Sequence, residues 1–124
     1  MTDVHIATLS LGSYNGDTHL PLVKVPNGYG GITVLESYLV APGAGTAIGG
    51  LLVTCTNAGT PAVNGTIGSF AGTVVTAAGD IVPAALTIST AYVADDYWIG
   101  YDQTSGTVPA GTFIVMSYVM GKAA

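Results

Sequence analysis

The chain has 124 residues, of which 49% are apolar and only 7% charged, with two Lys, no Arg and a net charge of −5. That length supports one domain with its own core, residues 1–124, and the apolar content excludes intrinsic disorder. Two lysines are too few to neutralise a run of nucleic-acid phosphates or to hold a basic helix on an anionic membrane.

Gly, Pro, Thr or a charge interrupts every apolar stretch well short of the roughly 18 residues a spanning helix needs. The opening Met1-Thr2-Asp3-Val4-His5 has neither the basic region nor the apolar segment of a signal peptide. Folding in a cytoplasm is therefore expected. Cys55 stands alone, so no internal disulfide and no thiolate cluster can form. It sits in the strand-like run Leu51 to Thr56, where a small buried apolar role is expected.

In chain order, Asp3 to Leu11 alternates Val4, Ile6 and Thr8 against His5, Ala7 and Leu9, and reads as a strand. Asn15-Gly16 marks a turn within Ser13 to Asp17. Leu20 to Pro26 is extended; two prolines and Lys24 mark an edge strand, because proline cannot donate to a ladder. Asn27 to Gly31 turns the chain into a long strand, Ile32 to Ala41, apolar on both faces with Glu36 its one charge. Pro42 to Gly45 breaks it.

Ala47 to Thr56 follows as a strand, with Gly49-Gly50 predicting a bulge or a close backbone approach. Asn57 to Pro61 turns. Val63 to Ala77 is expected to hold a broken strand, Thr66 to Phe70 and Thr73 to Thr76, before a loop at Ala78 to Asp80. Ala84 to Val93 has alanines that favour a helix, but Thr87-Ile88-Ser89-Thr90 and the preceding Pro83 tip it to strand. Tyr97 to Asp102 is a short aromatic strand, and a Gly/Pro loop, Thr104 to Gly111, leads into the last strand. About eight strands at this turn spacing, with no significant helix, predict an all-β fold: an antiparallel, jelly-roll-like β-sandwich. The recurring Ala-Gly-Thr triplets have no fixed spacing and read as turns followed by strand-forming Thr, not as a solenoid.

The last strand, Thr112 to Met120, is apolar on both sides. One face carries Phe113, Val115, Ser117 and Val119; the other carries Ile114, Met116, Tyr118 and Met120. A strand of that kind belongs at the centre of a sheet covered on both faces. In so small a chain one cover is the opposing sheet, and a neighbouring subunit is expected to supply the other. The expected contacts are Ile114, Met116, Tyr118 and Met120, or whichever face the core leaves out, with Leu20, Leu22 and Val23 of the edge strand.

Chemistry is sparse. His5 and His19 are the only histidines, and Asp17-Thr18-His19 lacks the further ligands of a metal site. Asp95, Asp96 and Asp102 are carboxylates of the kind calcium takes but match no EF-hand spacing. No serine lies in a nucleophile elbow, and no P-loop lysine is present. No catalytic residue, metal or cofactor is assigned. Tyr97, Trp98 and Tyr101 form a candidate aromatic platform for sugar, weighed against a place in the core.

Two stretches carry a resemblance. Gly30 to Ala41 followed by Ala44-Gly45-Thr46-Ala47, and Val108 to Phe113 with Tyr118 to Gly121, resemble in style and order the small all-β virion proteins of tailed bacteriophages, of the capsid decoration or head-associated type. The likeness spans about half the chain, without a diagnostic motif. It implies a non-enzymatic, homo-oligomeric component of the virion, made in the host cytoplasm. It also implies contacts to a major capsid or other virion protein, and no nucleic acid, membrane or cofactor. The lack of Arg departs from an expected capsid contact. The alternative is a carbohydrate-binding, adhesin-like module using Tyr97, Trp98 and Tyr101.

Overall fold

The computed structural model describes residues 3–12, 19–41, 49–70, 82–106 and 108–122. Nine strands and no helix occur among them: β1 (His5–Ser10), β2 (Leu20–Lys24), β3 (Ile32–Val40), β4 (Gly49–Cys55), β5 (Val63–Phe70), β6 (Ala84–Ile88), β7 (Tyr92–Val93), β8 (Trp98–Ser105) and β9 (Phe113–Met120). The expected turns at 13–17 and 42–45, the second half of the broken strand at 73–76 and the loop at 78–80 lie outside the described residues.

All pairings are antiparallel, along one path: β1-β9-β3-β6-β5-β4-β8-β2. The ends of the path, β1 and β2, approach each other, so the sheet is nearly closed into a barrel. The pairing has a simple logic. β1 pairs β9, β2 pairs β8, β3 pairs β6 and β4 pairs β5, as in one long hairpin. The hairpin is then wound so that β9 lies beside β3 and β8 beside β4.

β6 joins the two walls. Its first residues pair with Tyr38 and Leu39 of β3, and Leu86 to Ile88 pair with β5. The predicted strand Ala84 to Val93 is split at this point. The amides of Ser89 and Thr90 both donate to the Ile67 carbonyl, at 2.8 and 3.0 Å, which turns the chain away from β5. Tyr92 and Val93 then pair with Thr33 and Ile32 at the other end of β3.

A bulge decides which way β3 faces. Val34 opposes Tyr118 but Glu36 opposes Ser117, so Leu35 is the extra residue. Ile32 and Val34 point inward before it, Ser37 and Leu39 after it; Leu35, Glu36 and Tyr38 are left outside. The strand expected to be apolar on both faces is thus re-phased in its middle.

The interior is built from Leu39, Leu52, Ile67, Ile99, Tyr101 and Ile114 among others, all essentially inaccessible. Tyr101 fits because Gly50 has no Cβ, which would collide with its ring; the register also shifts between Gly49 and Gly50. Phe70 packs at a tilt against Tyr101, ring centroids 6.4 Å apart.

Gly68 of β5 has the same role at the join. A Cβ there would collide with the backbone carbonyl of Thr87 on β6. Gly68→Ala should therefore push β6 off β5 and destabilise the fold by about 1–3 kcal/mol, read by urea denaturation. An unchanged midpoint would mean that the join has slack.

Candidate functional site

β9 lies between β1 and β3, as a two-sided apolar strand should. Its faces divide unequally. Ile114 and Met116 are wholly buried in the barrel, and Tyr118 and Met120 pack against the same cluster. Leu20, Leu22 and Val23 of β2 also pack on it. The expectation that Ile114 and Met116 meet a neighbour is corrected, since both are buried in their own barrel; Leu20, Leu22, Val23, Tyr118 and Met120 are half-buried and keep part of their surface open. The physical reason is phase. Leu9 and Leu11 flank β9 on one side and Leu39 on the other, and they bury its even-numbered residues. What the core leaves out is Phe113, Val115, Ser117 and Val119.

Those residues are the middle of a broad outward face. Ser117 lies between Ile6 and Glu36, Val115 between Thr8 and Tyr38, and Phe113 between Ser10 and Val40. Ile6 is 73% exposed, Val4 58%, Leu35 43% and Tyr38 36%. A hollow of about 110 Å³ lies among Ile6, Glu36, Tyr38, Val115 and Ser117. Sequence reading missed Val4, Ile6, Leu35 and Tyr38 as exposed apolar residues. The alternation of β1 carried a signal for Val4 and Ile6; the bulge that turns Tyr38 outward carried none.

A second feature is the seam between β1 and β2. Ala7, Val23, Ile32, Met116, Tyr118 and Met120 line an apolar crevice of about 110 Å³ there. His5 stacks on Tyr118 beside it, ring centroids 5.3 Å apart.

The aromatic platform does not form. Strand alternation puts Tyr101 fully inside and Tyr97 against the core, while Trp98 points to the opposite face. Trp98 Nε1 donates to Asn57 Oδ1 at 3.1 Å. Asn57 Nδ2 in turn donates to Asp96 Oδ1 at 3.1 Å, and Lys24 Nζ sits 2.9 Å from the same oxygen. This chain of contacts ties β2, the β4–β5 loop and the start of β8 together.

The aspartates are likewise structural. Asp95 accepts hydrogen bonds from the amides of Gly28, at 2.9 Å, and Gly31, so it staples the β2–β3 turn. Asp102 is on β8 opposite Leu51. Among the described residues no three His, Cys, Asp or Glu side chains gather as metal ligands. His19 Nε2 donates to the Pro61 carbonyl at 2.8 Å, and Asp17 lies outside the described residues. Cys55 is buried, and that burial, with the Asp102 carboxylate second, pushes its thiol pKa up, away from the reactive thiolate.

A third feature is an uncharged cleft of about 240 Å³ at one end of the barrel. Thr54, Asn64, Thr66, Thr90, Tyr92 and Tyr97 line it. Tyr92 is held by its hydroxyl, which donates to the Gly30 carbonyl at 2.9 Å, and Lys122 Nζ lies 5.5 Å from its ring centroid. Comparison with protein-family models, with curated proteins and with solved structures returned no match.

Asp96 yields a pH prediction. The hydrogen bond from Lys24 holds its carboxyl below the ordinary range, helped by the Lys24 charge and by Asn57 and Asn27. A depressed folded-state pKa stabilises the fold above the unfolded value, about 3.9, and that part is lost as pH falls through the folded value. Asp96 has φ 71°, which Asn tolerates. Asp96→Asn should therefore flatten the fall in melting temperature below about pH 4 while leaving the backbone turn intact; an acid limb as steep as in the parent would assign that loss to other carboxylates.

Proposed function

We propose that the chain is a non-enzymatic structural protein of a phage virion, which decorates or reinforces a capsid through subunit contacts of its sheets. The single observation that carries this reading is the outward face of β1, β9 and β3. Val4, Ile6, Leu35 and Tyr38 stand in water there, around a strand whose own outer residues are Phe113, Val115 and Val119. Contiguous apolar patches on a soluble chain mark contact surfaces. Burying such a face is worth roughly 25 cal/mol per Å², which over a shell of many copies adds to a large reinforcement.

Two further points support it. The first is the resemblance of residues 30–47 and 108–121 to small all-β virion proteins. The second is the strand order. With the two-residue β7 set aside, β1-β9-β3-β6 and β5-β4-β8-β2 follow the order of a jelly roll, two four-stranded sheets wound from one hairpin. We therefore read the nearly closed barrel as a flattened, jelly-roll-like sandwich. Jelly rolls serve in viral capsids and in lectins alike, so the order favours neither alone. The apolar face favours the capsid.

In this reading the face meets a major capsid or other virion protein, and further copies of the chain lie alongside. No cofactor takes part. Quantitative mass spectrometry of purified particles should find the chain in many copies per particle. The double variant Tyr38→Asp/Val115→Asp should be lost from particles while the free protein loses at most about 1 kcal/mol of stability. Recovery of the parent chain only outside particles would overturn the reading.

The carbohydrate-binding alternative keeps one observation of its own, the uncharged cleft. Thr54, Asn64, Thr66 and Thr90 offer neutral polar groups beside two tyrosine rings, a lining suited to a neutral polyol. Titration with simple sugars, followed by tyrosine and Trp98 fluorescence, tests it. A response abolished by Tyr97→Ala would favour this alternative; silence across the sugars would remove it.

A further inference from the structure

We propose that β1 is a self-pairing edge, at which two copies of this chain join their sheets antiparallel about a two-fold axis. The inference rests on the assembly reading but concerns a different surface, the strand edge and not the face.

The direction of the free backbone groups follows from one bond. The Leu11 amide donates to the Thr112 carbonyl at 3.0 Å, and these two residues continue the β1–β9 register. In an antiparallel ladder such pairs alternate. Leu9, Ala7 and His5 therefore bond toward β9, and the amides and carbonyls of Ile6, Thr8 and Ser10 point away from it. No strand among the described residues pairs with that side of β1; β2 comes near it across the seam without hydrogen bonding to it. Ile6, Thr8 and Ser10 are all exposed.

The other end of the path is protected. β2 carries Pro21, a bulge at Leu22 and the charged Lys24, which are the usual devices against strand addition. β1 has none of them. From Val4 to Ser10 it holds no Pro, no Gly, no Lys and no acid. A bare edge beside 73% exposed Ile6 is a template for another strand.

Charge argues for a second copy as that strand. The chain carries −5 overall, so self-association must keep its acids apart. Pairing even-numbered residues with even, Ile6 beside Thr8 of the partner and Val4 beside Ser10, places no charge opposite a charge. The two Asp3 side chains then fall at opposite ends of the joint, about 27 Å apart, and the two Glu36 side chains five strand spacings apart, about 24 Å. Both distances exceed the Debye length of about 8 Å at physiological salt. The joint would also turn two outward faces into one continuous six-stranded surface, β3-β9-β1 and its symmetry mate.

Sedimentation velocity of the full chain, from about 1 to about 100 µM, tests this. The expected result is a species of twice the 12.4 kDa chain mass. Thr8→Pro removes an amide that faces away from β9, a place where an edge strand tolerates proline. Ile6→Lys puts a charge on the edge at a largely exposed position. Each should raise the dimer dissociation constant by at least about 100-fold, with circular dichroism spectra and melting near those of the parent. Should Thr8→Pro unfold the chain, Ile6→Lys decides together with Tyr38→Asp/Val115→Asp: an edge joint is lost with the first and kept with the second, whereas a joint through the face is lost with both. A dimer indifferent to Ile6→Lys overturns the β1 joint and leaves the assembly reading standing. A parent chain that stays monomeric throughout overturns the joint, whereas loss of particle binding by Tyr38→Asp/Val115→Asp with an intact dimer bears on the face alone.

Discussion

A strand hydrogen-bonded on both sides has two faces to satisfy, and a one-domain barrel can satisfy only the inner one. β9 carries that constraint here. Ile114 and Met116 lie wholly inside, and Tyr118 and Met120 close the seam over Met116 and Ile32. On the other face Phe113, Val115 and Val119 have, among the described residues, their neighbours on β1 and β3 for cover. Those neighbours mix Ile6 and Val40 with Thr8, Ser10, Glu36 and Tyr38. The outer wall of this sheet therefore sets large exposed apolar side chains among its polar ones, unlike the usual antiparallel sheet with one face on water. The bulge at Leu35 re-phases the rest of the strand, so that Glu36 and Tyr38 join Leu35 outside while Ser37 and Leu39 turn in.

The few charged groups are used in a different place and for a different purpose. Asp95 holds the backbone of Gly28 and Gly31, and Asp96 joins Lys24 to Asn57 and so to Trp98. These contacts pin the β2–β3 turn, the β4–β5 loop and the start of β8 at one end of the barrel. An exposed ion pair contributes little by itself; its value here is to fasten two connections to each other and to the start of a strand. Of the residues which in sequence resemble ligands or a sugar platform, Asp95, Asp96 and Trp98 are thereby accounted for as loop fastening.

Much of the fold was legible from period-two patterning. Strand positions, the edge character of Leu20 to Lys24, the close approach at Gly50 and the central place of β9 all follow from local residue choice. Other features depend on partners far along the chain. The split of Ala84 to Val93 arises because Ile67, more than twenty positions away, takes both the Ser89 and Thr90 amides. The phase of β9 was open in sequence, since both of its faces are apolar, and only Leu9, Leu11 and Leu39 decide it. The error over Tyr97, Trp98 and Tyr101 was avoidable in principle: residues 97 and 101 fall on one side of a strand and 98 on the other.

The two ends of the sheet also bear on the kind of assembly. If both edges were bare, β1 of one copy could add to β2 of the next, a head-to-tail joint that repeats without closing and produces fibres. Pro21, the bulge at Leu22 and Lys24 remove that option at β2. In the proposed joint β1 pairs with its own kind, and a two-fold joint of that sort closes after two copies. On that proposal the blunting of one edge and the bareness of the other act together: growth along the hydrogen-bonding direction would stop at a pair, and a wider lattice would have to be organised by the apolar face.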